Sequence, residues 1–168
     1  MKILDIYTDG SHLKKTTGRL GIGGVLINLE QQRPVGKKLA EFSVELLPEE
    51  MKLKFGPGAE NCSNPTAELT AVLVSIKKFG ALIRDAEFIT IHADYIGVRE
   101  WMTGKWKINE PYIKRIKEAI DKEIQNQGIK GHIEYAWVKG HQKYLAGDPD
   151  IHWNSYVDSL AKGENPVL

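Results

Sequence analysis

The chain has 168 residues, 42% of them hydrophobic and 27% charged, with a net charge of +1 and one cysteine. That length and balance fit one globular domain with a core large enough to need no disulfide, and Cys62 alone excludes an internal disulfide or a multi-cysteine zinc site. A near-neutral charge excludes a uniformly basic nucleic-acid coat but not a local basic strip. The N-terminus enters a strand pattern directly, and no apolar run approaches about 20 residues, so a cytoplasmic protein free of the membrane is expected.

Residues 3–9 read as a strand. Residues 19–29 read as a second, interrupted by glycines, and residues 36–46 as a third, with spacing suited to an antiparallel meander. Gly18, Gly21, Gly23 and Gly24 match neither the dinucleotide fingerprint nor the P-loop, and read as marks of a strand bulge. Residues 47–64 hold Pro48, Gly56, Pro57 and Gly58 and read as an extended loop with one helical turn at Glu49–Leu53. Asn64 and Pro65 then suit the cap and first position of a helix carrying Leu69, Val72, Leu73, Ile76 and Phe79. Residues 87–94 form a nearly continuous apolar run, as in a strand buried on both faces. A short helix over 96–103 follows. A longer one is capped by Asn109, striped by Ile113, Ile116, Ile120 and Ile124, and stopped at Gly128. Residues 132–138 give a fifth strand, and Trp153, Tyr156, Val157 and Leu160 a closing helix. The order βββαβααβα predicts an α/β fold: a mixed five-stranded sheet, three antiparallel strands then two parallel, flanked by helices.

Four carboxylates border these apolar elements. Asp9 closes the first strand run, Glu68 sits in the first turn of the helix predicted to start at Asn64, Asp94 ends the fourth strand, and Asp158 lies on the last helix. Each has an ordinary explanation alone: a turn aspartate before Gly10, a helix-dipole partner, a strand-ending turn, a solvated helix acid. Together they form a convergent anionic site, and four acids need a cation of the kind hard oxygen ligands hold.

The motifs around these acids, Tyr7-Thr8-Asp9-Gly10-Ser11, Thr66-Ala67-Glu68-Leu69, Ala93-Asp94-Tyr95, and Trp137-Val138-Lys139-Gly140-His141 followed by Asn154-Ser155-Tyr156-Val157-Asp158, resemble those of type 1 ribonuclease H, in order and over nearly the whole chain. The resemblance implies a ribonuclease H-like fold and an endonuclease that hydrolyses the RNA strand of RNA·DNA hybrids. Two Mg²⁺ ions, with Mn²⁺ as substitute, would match the charge of the four acids and serve an in-line displacement at phosphorus. It further implies that Asp9 bridges both ions, that Asp158 holds one of them with Asn154 as its neighbour, and that Glu68 and Asp94 hold the other. His141 takes the place of the family's loop histidine, before a flexible stretch from Gln142 to Asp150, and could shuttle protons. Gly10, Ser11, Ser63, Asn64 and Tyr95 fall where the family meets the hybrid. Trp101, Lys105 and Trp106 fall near its DNA-strand contacts, although tryptophans there also suit a core.

The chain departs from the family at Pro65, at Ile96 and along His12–Thr17, and between Trp106 and Tyr112 it has no room for the basic protrusion some bacterial members carry. The 47–64 segment, with Lys52 and Lys54, is a candidate for supplying that grip. Two rival functions keep the same fold: a nuclease acting on DNA, and a non-catalytic hybrid-binding module. The Val-Lys-Gly-His and Asn-x-x-x-Asp pairing weighs against the first, and the intact acids against the second. A monomer is expected.

Overall fold

The computed structural model describes residues 2–13, 18–140, 143 and 145–166. Five strands, β1 (Ile3–His12), β2 (Leu20–Asn28), β3 (Lys37–Leu46), β4 (Phe88–Ala93) and β5 (His132–Trp137), form one sheet in the order β3-β2-β1-β4-β5. The β1–β2 and β2–β3 pairs are antiparallel, and the β1–β4 and β4–β5 pairs are parallel. The expected mixed α/β sheet is therefore present, with β1 at its centre. Parallel pairing sets Thr8 opposite Ala93. One residue further, Asp9 and Asp94 lie side by side.

Helices cover both faces. The larger core, including Leu4, Ile6, Leu69, Ile76, Ile91 and Ile116, lies between the sheet and helices α1 (Pro48–Phe55), α2 (Asn64–Ile83), α3 (Ile96–Met102) and α4 (Pro111–Asn126). A smaller one, including Tyr7, Val25, Trp153 and Leu160, lies under α5 (Pro149–Ala161). Alternation along β1 sends Leu4 and Ile6 to the first and Tyr7 to the second. Because α5 packs on β1 and β2, the same side of β4 is less covered. Phe88 is exposed and Thr90 and His92 are half-buried, so β4 is not enclosed on both faces as its apolar run suggested.

The 47–64 segment is not an open loop. It forms α1 over Pro48–Phe55 and a short 3₁₀ turn at Ala59–Asn61. Pro48 suits a helix start, Glu49 and Glu50 sit near the positive end, and Lys52 and Lys54 near the negative end. Met51 and Phe55, one turn apart, enter the core, while Leu53 points away at 89% exposure. The stripe is thus short and interrupted, so the sequence showed only the turn at Glu49–Leu53 and not the full helix.

Three helix boundaries also differ from expectation. Ser63, not Asn64, caps α2, with Asn64 first and Pro65 second in the helix; the Ser63 carbonyl accepts from Ala67 N at 2.9 Å. Glu110 rather than Asn109 precedes α4, since Pro111 occupies its first position. On α5, Asp148 is the cap, its Oδ1 accepting from Asp150 N at 2.9 Å and Ile151 N at 3.2 Å. Pro149 and Asp150 therefore belong to a helix, not to the flexible stretch expected there.

The glycines of β2 serve helix packing. A Cβ on Gly21 would lie 2.0 Å from the Ala161 carbonyl oxygen, and one on Gly23 2.6 Å from Leu160 Cβ. Their bare surface lets the last turn of α5 rest on the sheet. The register shift lies elsewhere, between Leu26 and Ile27. At the other end of α5, the Tyr7 hydroxyl donates to Asp150 Oδ1 at 2.5 Å. His92 stacks on Tyr7 at 4.2 Å and bonds Asp5 Oδ1 at 2.7 Å. This buried polar group ties the start of α5 to the two central strands.

Candidate active site

The acid cluster grows from one tight contact. Gly10 lies on the α2 side of β1, where a Cβ would come 2.4 Å from the backbone carbon of Ala67. Without one, α2 presses directly on β1. The Gly10 N–H then donates to Asp9 Oδ1 at 3.0 Å and approaches Glu68 Oε1 at 3.4 Å. Two carboxylates from different elements thus share one donor.

Asp94 completes a trio. One oxygen from each of Asp9, Glu68 and Asp94 lies within 4.8 Å of the others. Asp9 and Glu68 are each only 4% exposed, and Asp94 is half-buried. Burial is the main reason that the Asp9 carboxyl is pushed up to about 8, and the charges of Asp94 and Asp158 add to it. Burial, then Asp9, raises Glu68 well above the ordinary carboxylate range. Glu68 Oε2 is buried with no hydrogen-bond partner among the described residues. An unbonded buried carboxylate oxygen is costly, and it lies in a setting of excess negative charge. A hard divalent cation answers both conditions, so the donor set fits one.

Two of the expected positions need correction. Asp9 does not end β1, which continues to His12; it sits inside the strand, paired with Gly23. Glu68 is the fifth residue of α2, beyond the first turn, so it is not a partner for the free N–H groups at the helix start.

Asp158 stands beside the trio rather than in it. It is close enough to raise Asp9, yet its Oδ2 pairs with Lys162 Nζ at 2.9 Å. Asn154 is half-buried one turn earlier on α5. Tyr95 is the N-cap of α3 and packs against Trp101 with ring centroids 5.7 Å apart. Burial and then the Glu68 charge raise its hydroxyl, which places it on the rim of the cluster. Ser11 is half-buried beyond Gly10; Ser63 and exposed Asn64 lie at the same end of α2 as Glu68.

Trp101, on α3, links Tyr95 to Lys105 and Trp106, which follow in the turn after that helix. Trp101 packs against the large core, while Trp106 meets it edge-on at 6.1 Å and is 42% exposed. Among the described residues no helix intervenes between Met102 and Pro111, in keeping with a missing protrusion. His141 lies outside the described residues.

Sequence reasoning missed three neighbours of the acids. Lys162 follows Asp158 by four residues, the helical ion-pair spacing, which was a usable signal. Trp137 Nε1 donates to the Asp94 carbonyl at 3.1 Å, and a Cβ on Gly140 would lie 3.4 Å from Asp94 Oδ2. Both belong to the Trp-Val-Lys-Gly-His motif, but only pairing of β4 with β5 brings that motif to Asp94.

The chain is similar to known proteins over nearly its whole length. The RNase H family model matches residues 1–165. A ribonuclease H from Saccharopolyspora erythraea is 30% identical over 168 residues, covering 94% of this chain and 87% of the relative. Among solved structures, the N-terminal RNase H domain of Rv2228c from Mycobacterium tuberculosis, a fusion with maltose-binding protein, aligns with a TM-score of 0.68 at 20% identity, over 97% of this chain and 93% of that one. LC11-RNase H1, solved with an RNA/DNA hybrid, aligns with a TM-score of 0.62 at 20% identity, over 96% and 95%. No helix among the described residues is long and apolar enough to cross a membrane. With the family model spanning nearly the whole sequence and a curated relative matching over the same length, the chain belongs to the RNase H family.

Proposed function

We propose that this protein is a metal-dependent endonuclease that hydrolyses the RNA strand of RNA·DNA hybrids, leaving 5′-phosphate and 3′-hydroxyl ends. The observation that carries the reading is the trio of buried Asp9, buried Glu68 and half-buried Asp94, with oxygens within 4.8 Å and Glu68 Oε2 unbonded among the described residues. Asp9, Glu68, Asp94 and Asp158 would hold two Mg²⁺ ions, or Mn²⁺ in their place. When bound, the ions supply the positive charge that activates the attacking water and stabilises the leaving 3′-oxygen. The Gly10 N–H holds one oxygen each of Asp9 and Glu68 and would leave their other oxygens for the ions.

In this reading Glu68 also meets a ribose 2′-hydroxyl, and Gly10, Ser11, Ser63, Asn64 and Tyr95 contact the hybrid. A surface that recognises 2′-hydroxyls on one strand and their absence on the other separates a hybrid from duplex DNA and duplex RNA. His141 takes up or returns a proton near neutral pH as product leaves. Asn154 supports Asp158. Trp101, Lys105 and Trp106 are assigned to the DNA strand, whose phosphates favour a lysine and whose sugar edge favours an aromatic face. The protein acts as a monomer in the cytoplasm.

The test is cleavage of an end-labelled RNA·DNA hybrid with Mg²⁺, beside duplex DNA and duplex RNA. Cleavage of the RNA strand alone is expected, and Asp9→Asn should reduce it more than about 100-fold, since even residues that only support a metal ligand cost about 10- to 100-fold. Cutting of duplex DNA would transfer the reading to a DNA-directed nuclease. Hybrid binding without cutting would make the chain a binding module. Full activity in the Asp9→Asn protein would overturn the site.

A further inference from the structure

Asp158 is the acid that the structure treats differently. The other three gather within 4.8 Å, whereas Asp158 Oδ2 is 2.9 Å from Lys162 Nζ. Both ends of the pair are partly open to water, at 38% and 45% exposure. The pair is not placed at random. The last turn of α5 lies on β2 because Gly21 and Gly23 have no side chains to hold it off. That packing brings Asp158 near enough to Asp9 to raise its carboxyl. Lys162 is the C-cap of α5, where the helix dipole favours a cation, and its charge is stabilised first by Asp158 and to a lesser degree by Glu164 and then Asp9. An exposed lysine pair four residues apart ordinarily does little. Here it borders a buried anionic site whose counter-charge must come from outside.

We propose that Lys162 is a positioning residue that acts as an internal counter-ion for Asp158 and sets the concentration at which divalent cations fill the site. The inference rests on the metal-site reading above. With no divalent ion bound, the ammonium neutralises Asp158 and reduces its repulsion of Asp9. A cation that takes Asp158 as a ligand would share the carboxylate with Lys162 or displace its Nζ from Oδ2, and in either case would meet its charge. Lys162 thereby stabilises the ion-free protein and weakens metal binding. A unit charge about 6 Å from a divalent ion in water-like surroundings changes binding about tenfold, and physiological salt reduces this to about threefold.

The experiment is calorimetric titration of the intact protein with Mg²⁺ and with Mn²⁺ at fixed pH and salt, without substrate. Lys162→Met keeps the apolar stem and removes the charge; it should lower the apparent dissociation constant about three- to tenfold. Lys162→Arg should stay within about twofold of wild type, because the charge remains. In an Asp158→Asn background the gain from Lys162→Met should shrink to less than about half, as expected for two groups that act on one another. A purely structural Lys162 would shift the melting temperature and leave the dissociation constant unchanged, which would overturn the proposal. Wild-type protein that binds neither ion would instead overturn the metal-site reading itself, so the two failures are distinct.

Discussion

Replacing Asp9 with asparagine should stabilise the metal-free protein, and by an amount that depends on pH. The side chain is 4% exposed, and burial with the Asp94 and Asp158 charges pushes its carboxyl up to about 8. A carboxyl raised in the folded state is one that the unfolded chain ionises first. Folding stability is therefore lost as pH rises from the usual carboxylate value, about 4, and the loss is complete above about 8. Taken alone, that displacement corresponds to about 5–6 kcal/mol. Burial and repulsion among the acids raise Asp9 and Glu68 together, and Glu68 remains buried in the variant, so about half of it, ~3 kcal/mol, should be recovered. The amide oxygen of the introduced asparagine would keep the bond from the Gly10 N–H, and no cavity is created. For a domain of this length ~3 kcal/mol raises the melting temperature by roughly 6–12 °C. Thermal unfolding followed by circular dichroism in excess chelator should show that gain at about pH 9 and roughly a quarter of it at about pH 5. A gain of the same size at both pH values, or none at the higher one, would refute the account of a strained acid pair. The same substitution abolishes the proposed cleavage, so stability and activity should move in opposite directions.

Gly10→Ala tests the contact that assembles the site. The new Cβ meets the Ala67 backbone at 2.4 Å, so α2 must shift, at a cost of about 1–3 kcal/mol, and carry Glu68 away from Asp9. Cleavage should fall even where circular dichroism shows a folded protein; retained wild-type kcat would mean that the contact is dispensable. Phe55→Ala tests α1. Removing this buried ring should cost about 3 kcal/mol by denaturant unfolding. It should leave kcat of the folded protein within about twofold, because α1 packs mainly on the 3₁₀ turn that follows it and on α4, neither of which carries one of the four acids. A collapse of kcat would place α1 among the elements that shape the site.

Much of the architecture was legible because hydrophobic period and length agree element by element. The fourth strand, α2 and α4 emerged from their apolar spacing, and the four acids from their place beside it. Local chemistry was legible too coarsely for helix ends. Ser63 and Asn64 are both good caps next to a proline, and the backbone chose the serine. Only one turn of α1, Glu49–Leu53, was legible, because Met51 and Phe55 with an exposed Leu53 between them carry no clear period. The β2 glycines are conspicuous in the sequence but suggest a bulge there, since only the helix that lies on them reveals why a side chain is excluded.

By itself the sequence determined the element order, the apolar faces and the identities of the acids, because these depend on residue types at short separations along one chain. Tertiary structure decided which acids meet. Parallel pairing of β1 with β4 sets Asp9 beside Asp94, and the bare Gly10 lets α2 deliver Glu68. Packing on Gly21 and Gly23 brings Asp158 near while Lys162 holds it. Those distances depend on contacts between residues far apart in the chain, and so does the repulsion that raises the Asp9 and Glu68 carboxyls. Sequence spacing carries neither.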